Sequence, residues 1–291
     1  MINKLQKHKL GFYELIDKPT KEYLQDYYAN KYYQESLSSS YQLNYSKDEL
    51  EYIKVQNERF YSVAKNIRKV EGGSFLDVGC GEGHGLNFFK NKGYKVKGLD
   101  FSSNGVLSQN PNCINELFTG DLFKLIKSEI ESKNIYDIIY LQNVLEHVIN
   151  PIDLLRDLHS ILSMNGVIVL TVPNDFSVVQ KEAIRRNHID NEFWIGLPDH
   201  LSYFEKNSLI EICKATKFNV CDLLGDFPVD LFLYHKGSNY IKNKTAGKAA
   251  HNAKIQLECL LAKQNMNDEV DFWRSLAKVG MGRNLTIFIN K

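Results

Sequence analysis

Three groups of residues have the types and spacing to do chemistry. The first is Asp77 followed by Gly79, Gly81 and Gly83 in LDVGCGEGHG, an acid ahead of alternating glycines directly after a short apolar run. Glycines let the backbone come close to a ligand, and the N-terminus of a following helix offers unpaired N–H groups to a negative or carbonyl group. The second group is histidine: His200 in LPDHLSYF and His147 in VLEHV are the candidates for taking a proton from a hydroxyl acceptor near neutral pH. The competing role for either is packing or helix capping, and Glu146 beside His147 could share it. The third is Arg283 in GMGR, whose planar fork suits a phosphate or carboxylate. The eight histidines show no close pairing on one helix face, so no catalytic metal is expected.

These residues need elements to position them. From Ser74 to Asn174 short apolar runs alternate with helix-length segments, the pattern of a parallel sheet with crossover helices. SFLDVG, YKVKGLD, ELFTGD, YDIIYLQ and VIVLTVP read as strands. GLNFFKNKG, the stretch from Leu122 to about Ser132, and IDLLRDLHSILS read as helices, the last opened by Asn150 and Pro151. Ser46 and Glu49 have capping-box spacing ahead of a helix from Lys47 towards EGG. EKNSLIEICKATKF reads as an amphipathic helix, and NVCDLLGDF and NLTIFIN as the sixth and seventh strands. The fifty or so residues between those two strands exceed what a hairpin needs, so a helical insertion is expected there.

The glycine spacing narrows the ligand. A dinucleotide GxGxxG fingerprint would need glycine at position 84 or 86, where the chain has His84 and Leu86. Asp77 with Gly79, Gly81 and Gly83 instead resembles the first motif of class I S-adenosylmethionine-dependent methyltransferases. Further matches follow in order: Asp100 at the end of the second strand, GDL with Asp121 and Leu122 after the third, and LQNVLEHVINP after the fourth. Together they cover residues 74 to 174.

The resemblance implies an α/β, doubly wound, Rossmann-like seven-stranded sheet and S-adenosyl-L-methionine as cofactor. Its residues would be Asp77, acting through water or the loop amides on the methionyl ammonium, and Gly79, Gly81 and Gly83. Asp100 would take the ribose hydroxyls, with Phe101 beside it. Asp121 and Leu122 would lie by the adenine, and Gln142 and Asn143 would complete the site. The segment around His200 also resembles methyltransferases of ubiquinone and surface-polysaccharide synthesis, and the C-terminal AKVGMGRNLTIFI resembles the ends of capsule or O-antigen cluster methyltransferases.

The expected organisation is an N-terminal helical or lid region over 1–47, a core over 48–227, a helical insertion or cap over 228–282 and a last core strand over 283–291. The tyrosines at 27, 28, 32 and 33 make the N-terminal region a candidate lid, with Tyr32 and Tyr203 as acceptor-binding residues beside Arg283. Lys236, Lys242, Lys244, Lys248 and Lys254 occur without an intervening acid, which favours an anionic or phosphate-bearing acceptor over an apolar one.

Composition bounds the class. The chain has 291 residues, 43% hydrophobic and 24% charged, with net charge +1, which opposes bulk capture of nucleic acid. Five scattered cysteines without a CxxC pair suit a reducing cytoplasm, and no run is long and apolar enough for a membrane span or a signal segment. The expected protein is cytoplasmic and unprocessed, an enzyme transferring a methyl group, preferably to oxygen, on a small acceptor in surface-glycan synthesis. Its rivals are a quinone-type methyltransferase with an apolar acceptor and a non-catalytic module that only binds the cofactor. Turnover separates the second rival from an enzyme, and the chemistry of the acceptor separates the first.

Overall fold

The computed structural model of the protein describes residues 4–20, 23–24 and 45–291. The tyrosines at 27, 28, 32 and 33, Tyr32 among them as an expected acceptor-binding residue, lie outside the described residues.

In the N-terminal region, where short helices and loops are expected, the described residues form an antiparallel hairpin of β1 (Leu5–Lys7) and β2 (Tyr13–Leu15). Strands of three residues show no readable period, and their stability comes from elsewhere. Tyr13 and Glu14 pair with Tyr203 and Ser202, and Phe12 stacks obliquely on Phe204.

Helix α1 (Lys47–Arg68) starts where the capping box predicts: Ser46 and Glu49 exchange side-chain-to-backbone bonds in both directions. The alternating units then follow as β3 (Ser74–Val78), α2 (His84–Asn91), β4 (Lys95–Asp100), α3 (Asn104–Gln109), β5 (Leu117–Thr119), α4 (Leu122–Glu131) and β6 (Tyr136–Gln142). Next come α5 (Pro151–Ile161), β7 (Leu162–Pro173), α6 (Val178–Arg185), β8 (Ser202–Tyr203), α7 (Lys206–Ala215) and β9 (Asn219–Gly225). The expected helical insertion contains α8 (Ala246–Leu261) and α9 (Met266–Lys278), and β10 (Asn284–Asn290) closes the chain. Strand β7 begins earlier than VIVLTVP, because Leu162 is buried and already pairs with Tyr136 as the helix ends.

The seven-stranded sheet runs β5-β4-β3-β6-β7-β10-β9. The first five strands are parallel, and β10 is antiparallel to both neighbours. Strand alternation sends two sets of side chains to opposite faces. Leu76, Ile139, Leu141, Ile168, Leu170 and Ile287 meet Ile126 of α4, Leu154 and Leu158 of α5 and Ile212 of α7. Phe75, Ile138, Tyr140, Val169 and Phe288 meet Phe60 and Val63 of α1, Phe89 of α2 and Trp273 of α9. The insertion therefore completes a helical layer. Strand order reverses between β3 and β6, and in such sheets the crevice at the carboxyl ends of the strands around this point is where ligands bind.

Candidate functional site

A cavity of about 1010 Å³ opens at that crevice, lined by the carboxyl ends of β3, β4 and β6 and by the loops after them. Gly79 (φ 73°) begins the glycine loop, and a Cβ added there would lie 2.5 Å from Cγ2 of Val144. The loop is thus pressed against the turn that follows β6, and only glycine fits.

Asp100 organises the loop from the next strand. Its Oδ2 accepts from the Gly81 N–H at 2.8 Å and its Oδ1 from the Ser102 N–H at 3.0 Å. Asp77 is buried and lines the same cavity; burial, with Asp100 nearby, lifts its carboxyl to about 8. Behind the loop, Asn110 donates to the Glu82 carbonyl at 2.8 Å, and Tyr45 donates to the Glu82 carboxylate at 2.6 Å.

The other expected cofactor residues also reach the cavity: Gly81, Phe101, Asp121, Leu122, Gln142 and Asn143 line it, while Gly83 caps the following helix in a left-handed conformation. Asp121 caps α4 through an Oδ1 that accepts from the Lys124 N–H at 2.9 Å. Gln142 is held by the Val169 carbonyl at 2.8 Å and by Thr171 Oγ1 at 2.6 Å.

Across the cavity the two candidate histidines come together. Glu146 and His147 sit on the short turn Leu145–His147 after β6, and His200 comes from the loop before β8. The Leu201 N–H donates to the Glu146 carbonyl at 2.8 Å, and Nδ1 of His147 lies 2.9 Å from the Asp199 carbonyl, so the two segments are tied together. The imidazole centroids are 4.9 Å apart and nearly perpendicular. Burial lowers both histidines; for His200, with His147 and Arg283 adding to it, the value falls to about 3. Burial lifts Glu146 to about 8. At neutral pH both rings are therefore neutral.

The expected acceptor-binding residues are placed otherwise. Arg283 does not line the cavity: it donates to Oδ1 of Asp175 at 3.1 Å, and Oδ2 of that carboxylate lies 4.0 Å from Nδ1 of His200. Tyr203 is buried in β8, and its hydroxyl donates to the His200 carbonyl at 2.9 Å, so it holds the histidine's backbone. None of the five insertion lysines lines the cavity either. Lys254 is instead paired with Asp226 at 2.9 Å, and Lys242 approaches Asp190 at 3.5 Å. The folding of the insertion turns these two towards acids of the scaffold, while Lys244 and Lys248 are exposed. Among the described residues, Lys127 is the one lysine or arginine on the cavity wall, against carboxylates at 77, 82, 100, 121, 146, 153, 157 and 199.

Two residues at the site escape sequence reasoning. A Cβ on Gly105 would fall 2.4 Å from the Gly81 carbonyl oxygen, so α3 can pack against the loop only through glycine. The signal was a single glycine just after the second strand. Asp175 gave no local signal, because its partners Arg283 and His200 are brought to it by the fold.

Comparison with known proteins agrees with this geometry. A family model described as "Methyltransferase domain" matches residues 55–223. The ubiquinone biosynthesis O-methyltransferase of Shewanella halifaxensis is 24% identical over 183 residues, 58% of this chain and 76% of that protein. The protein of the same name from Rhodopseudomonas palustris is 26% identical over 116 residues, 40% of this chain and 46% of that one. Among solved structures, the plantazolicin methyltransferase BpumL in complex with SAH superposes with a TM-score of 0.53 at 18% identity, over 92% of this chain and 94% of its own. A SAM dependent methyltransferase from Archaeoglobus fulgidus gives 0.51 at 16% identity, over 82% and 94%. These two likenesses are of fold. The family match covers more than half of the chain, which belongs to the methyltransferase-domain family and takes S-adenosylmethionine as its methyl donor.

Proposed function

We propose that the protein transfers a methyl group to a hydroxyl oxygen of a small, polar acceptor of surface-glycan synthesis, such as a sugar. The observation that carries this is the meeting of Glu146, His147 and His200 on the wall of the cavity that also holds the glycine loop. A hydroxyl must lose its proton as it is methylated, and polar groups at one wall serve that need. The acid-rich lining favours a neutral hydroxyl over the anionic acceptor expected from the lysines.

In this reading the glycine loop, its N–H groups at Gly79, Gly81 and Gly83 already bonded to Leu99, Asp100 and Cys80, lets the bare backbone come close to the methionyl group, and Asp77 faces the ammonium. Asp100 takes the ribose hydroxyls, with Phe101, Asp121 and Leu122 around the adenine, and Gln142 and Asn143 lie towards the reacting centre. When bound, S-adenosylmethionine supplies a methyl carbon activated by a sulfonium. The protein then aligns the acceptor oxygen and excludes water, and alignment alone provides an effective molarity of about 10⁵ M or more. His200 stands at the acceptor side, oriented by the hydroxyl of Tyr203 and by Asp175 with Arg283.

A second reading, a phenolic acceptor of quinone type, is favoured by the names of the relatives and by Phe60, Phe101, Phe123 and Val144 on the wall. The test is incubation with trideuteromethyl-labelled donor and matched panels of sugar, sugar-nucleotide and catechol acceptors, followed by mass spectrometry. Label on a sugar hydroxyl, lost in His200→Ala while S-adenosylhomocysteine still binds, supports the glycan reading. Label on catechols alone transfers the assignment to the quinone type, and label on nitrogen or carbon overturns O-methylation.

A further inference from the structure

We infer that Glu146, His147 and His200 form a binding site for one divalent transition-metal cation of the Zn²⁺ or Mn²⁺ type. One ligand atom from each of the three residues lies within 4.8 Å of the others. Spacing along the chain hid this set, because the two histidines come from separate loops and share no helix face.

The strongest sign is Glu146. It is 1% exposed, yet both carboxylate oxygens are buried without a hydrogen-bond partner. Buried carboxylates are paired, hydrogen-bonded or metal-bound, since an orphaned one is costly. The turn holding it is fixed by the Leu201 N–H, which donates to its carbonyl and leaves the side chain aimed at the histidines.

The histidines are prepared for the same ligand. Nδ1 of His147 lies 2.9 Å from the Asp199 carbonyl. A carbonyl only accepts, so the proton sits on Nδ1 and the lone pair on Nε2, the atom 3.8 Å from Oε1 of Glu146. Nδ1 of His200 and Oδ2 of Asp175 are both buried without partners and face each other at 4.0 Å. A small approach would place that proton on Nδ1 and turn Nε2 to the metal. A carbonyl or carboxylate behind each ligating imidazole is the usual outer shell of a metal site. Two imidazoles and one carboxylate suit Zn²⁺, Mn²⁺ or Fe²⁺ better than Mg²⁺ or Ca²⁺, which take oxygen sets. Three protein ligands leave positions open to the cavity.

The use of the cation rests on the O-methylation reading: an acceptor hydroxyl on an open position would be acidified and held. As the oxygen–methyl bond forms, the carbon–sulfur bond breaks with its electron pair passing to sulfur, and the hydroxyl proton leaves to water. Binding itself is independent of that reading.

The test uses full-length protein freed of any affinity tag, stripped with chelator and dialysed against Zn²⁺ or Mn²⁺, with bound metal counted by atomic emission. One cation per chain is expected. Glu146→Gln and His200→Ala should each weaken affinity at least about 10-fold, as Asp175→Asn should through His200. His251→Ala, on the exposed side of α8, should bind as the unchanged protein does. Should a variant fail to fold, Mn²⁺ broadening of the His147 and His200 ring resonances in the unchanged protein gives the same answer. Substoichiometric, unsaturable binding, equal affinity in Glu146→Gln and His200→Ala, or broadening confined to other histidines overturns the site. Neither donor nor acceptor is needed, so a metal-loaded protein that fails to methylate oxygen would sink the proposed function and leave the site standing.

Discussion

Arg283 donates to Asp175 at 3.1 Å behind His200, so the cation expected to meet an acceptor instead neutralises a buried carboxylate. Burial holds that carboxyl up at about 6 even with Arg283 lowering it. Arg283→Ala leaves Asp175 without its cation and should cost about 2–4 kcal/mol at pH 7.5, short of the full cost of a wholly buried pair because Arg283 is partly exposed. The sign fixes the pH dependence: a raised folded value makes the ionised form the unfavourable one, so the cost should shrink below pH 6 as the carboxyl takes a proton. Urea unfolding at pH 5.5 and 7.5 measures it, and an equal loss at both would show that the pair does not carry the effect.

Asp100 joins the loop to the cofactor assignment, because its carboxylate already holds the Gly81 N–H at 2.8 Å. Asp100→Ala removes that support together with the two charge-assisted bonds to ribose that the proposed cofactor pose assigns to it, so S-adenosylhomocysteine should bind on the order of 10²-fold more weakly or worse. Asp100→Asn, which can still accept from Gly81, should lie between the two. Titration calorimetry gives the ranking, and undiminished binding by Asp100→Ala would remove Asp100 from the cofactor site.

Asp77 and Glu146, both lifted to about 8 by burial, make the ligand- and metal-free protein pH-sensitive. Their ordinary values are near 4, so between pH 4 and 8 the folded state binds more protons than the unfolded one. Each contribution is complete below about pH 4 and is lost as pH rises through 8, with a slope of about 1.4 kcal/mol per pH unit per group. Asp77→Asn should flatten the stability–pH curve by one such share, read from denaturant unfolding at pH 5, 6.5 and 8. Parallel curves for the two proteins would show that Asp77 ionises freely in the fold.

The strands from Ser74 to Pro173 and the last strand Asn284–Asn290 could be read from sequence because alternation, glycine turns and a proline cap are local signals. The hairpin Leu5–Lys7 and Tyr13–Leu15 could not, since its strands are three residues long and gain their register from Ser202–Tyr203, far along the chain. The same division runs through the site. Asp77, the alternating glycines and Asp100 stand in one ordered motif and all reach the loop or the cavity. Partners that meet across the fold are not legible in this way: Asp175 lies 108 residues from Arg283, and composition does not say which acid Lys254 meets. Gly105 was missed because its constraint, the Gly81 carbonyl, is a tertiary contact.

The insertion gives the last prediction. Arg59 of α1 lies 3.0 Å from Glu258 of α8 and 2.7 Å from Glu269 of α9, all three buried, with its guanidinium carbon 4.6 Å from the Trp273 ring. Removing one member strands another, so Arg59→Ala should cost about 3–5 kcal/mol by taking the cation from buried Glu269 and leaving buried Glu258 to Lys254. Replacing the charge set together, Arg59→Met with Glu258→Gln and Glu269→Gln, should recover most of that loss, because the desolvation cost goes with the charges. Lys248→Ala, exposed on α8, should stay within about 0.5 kcal/mol. Hydrogen exchange locates the effect: in Arg59→Ala protection should fall over α8 and α9 while β3, β4 and β6 keep theirs. If the sheet strands lose protection together with the insertion helices, the insertion is part of one cooperative unit with the core and the triad is not its local clasp.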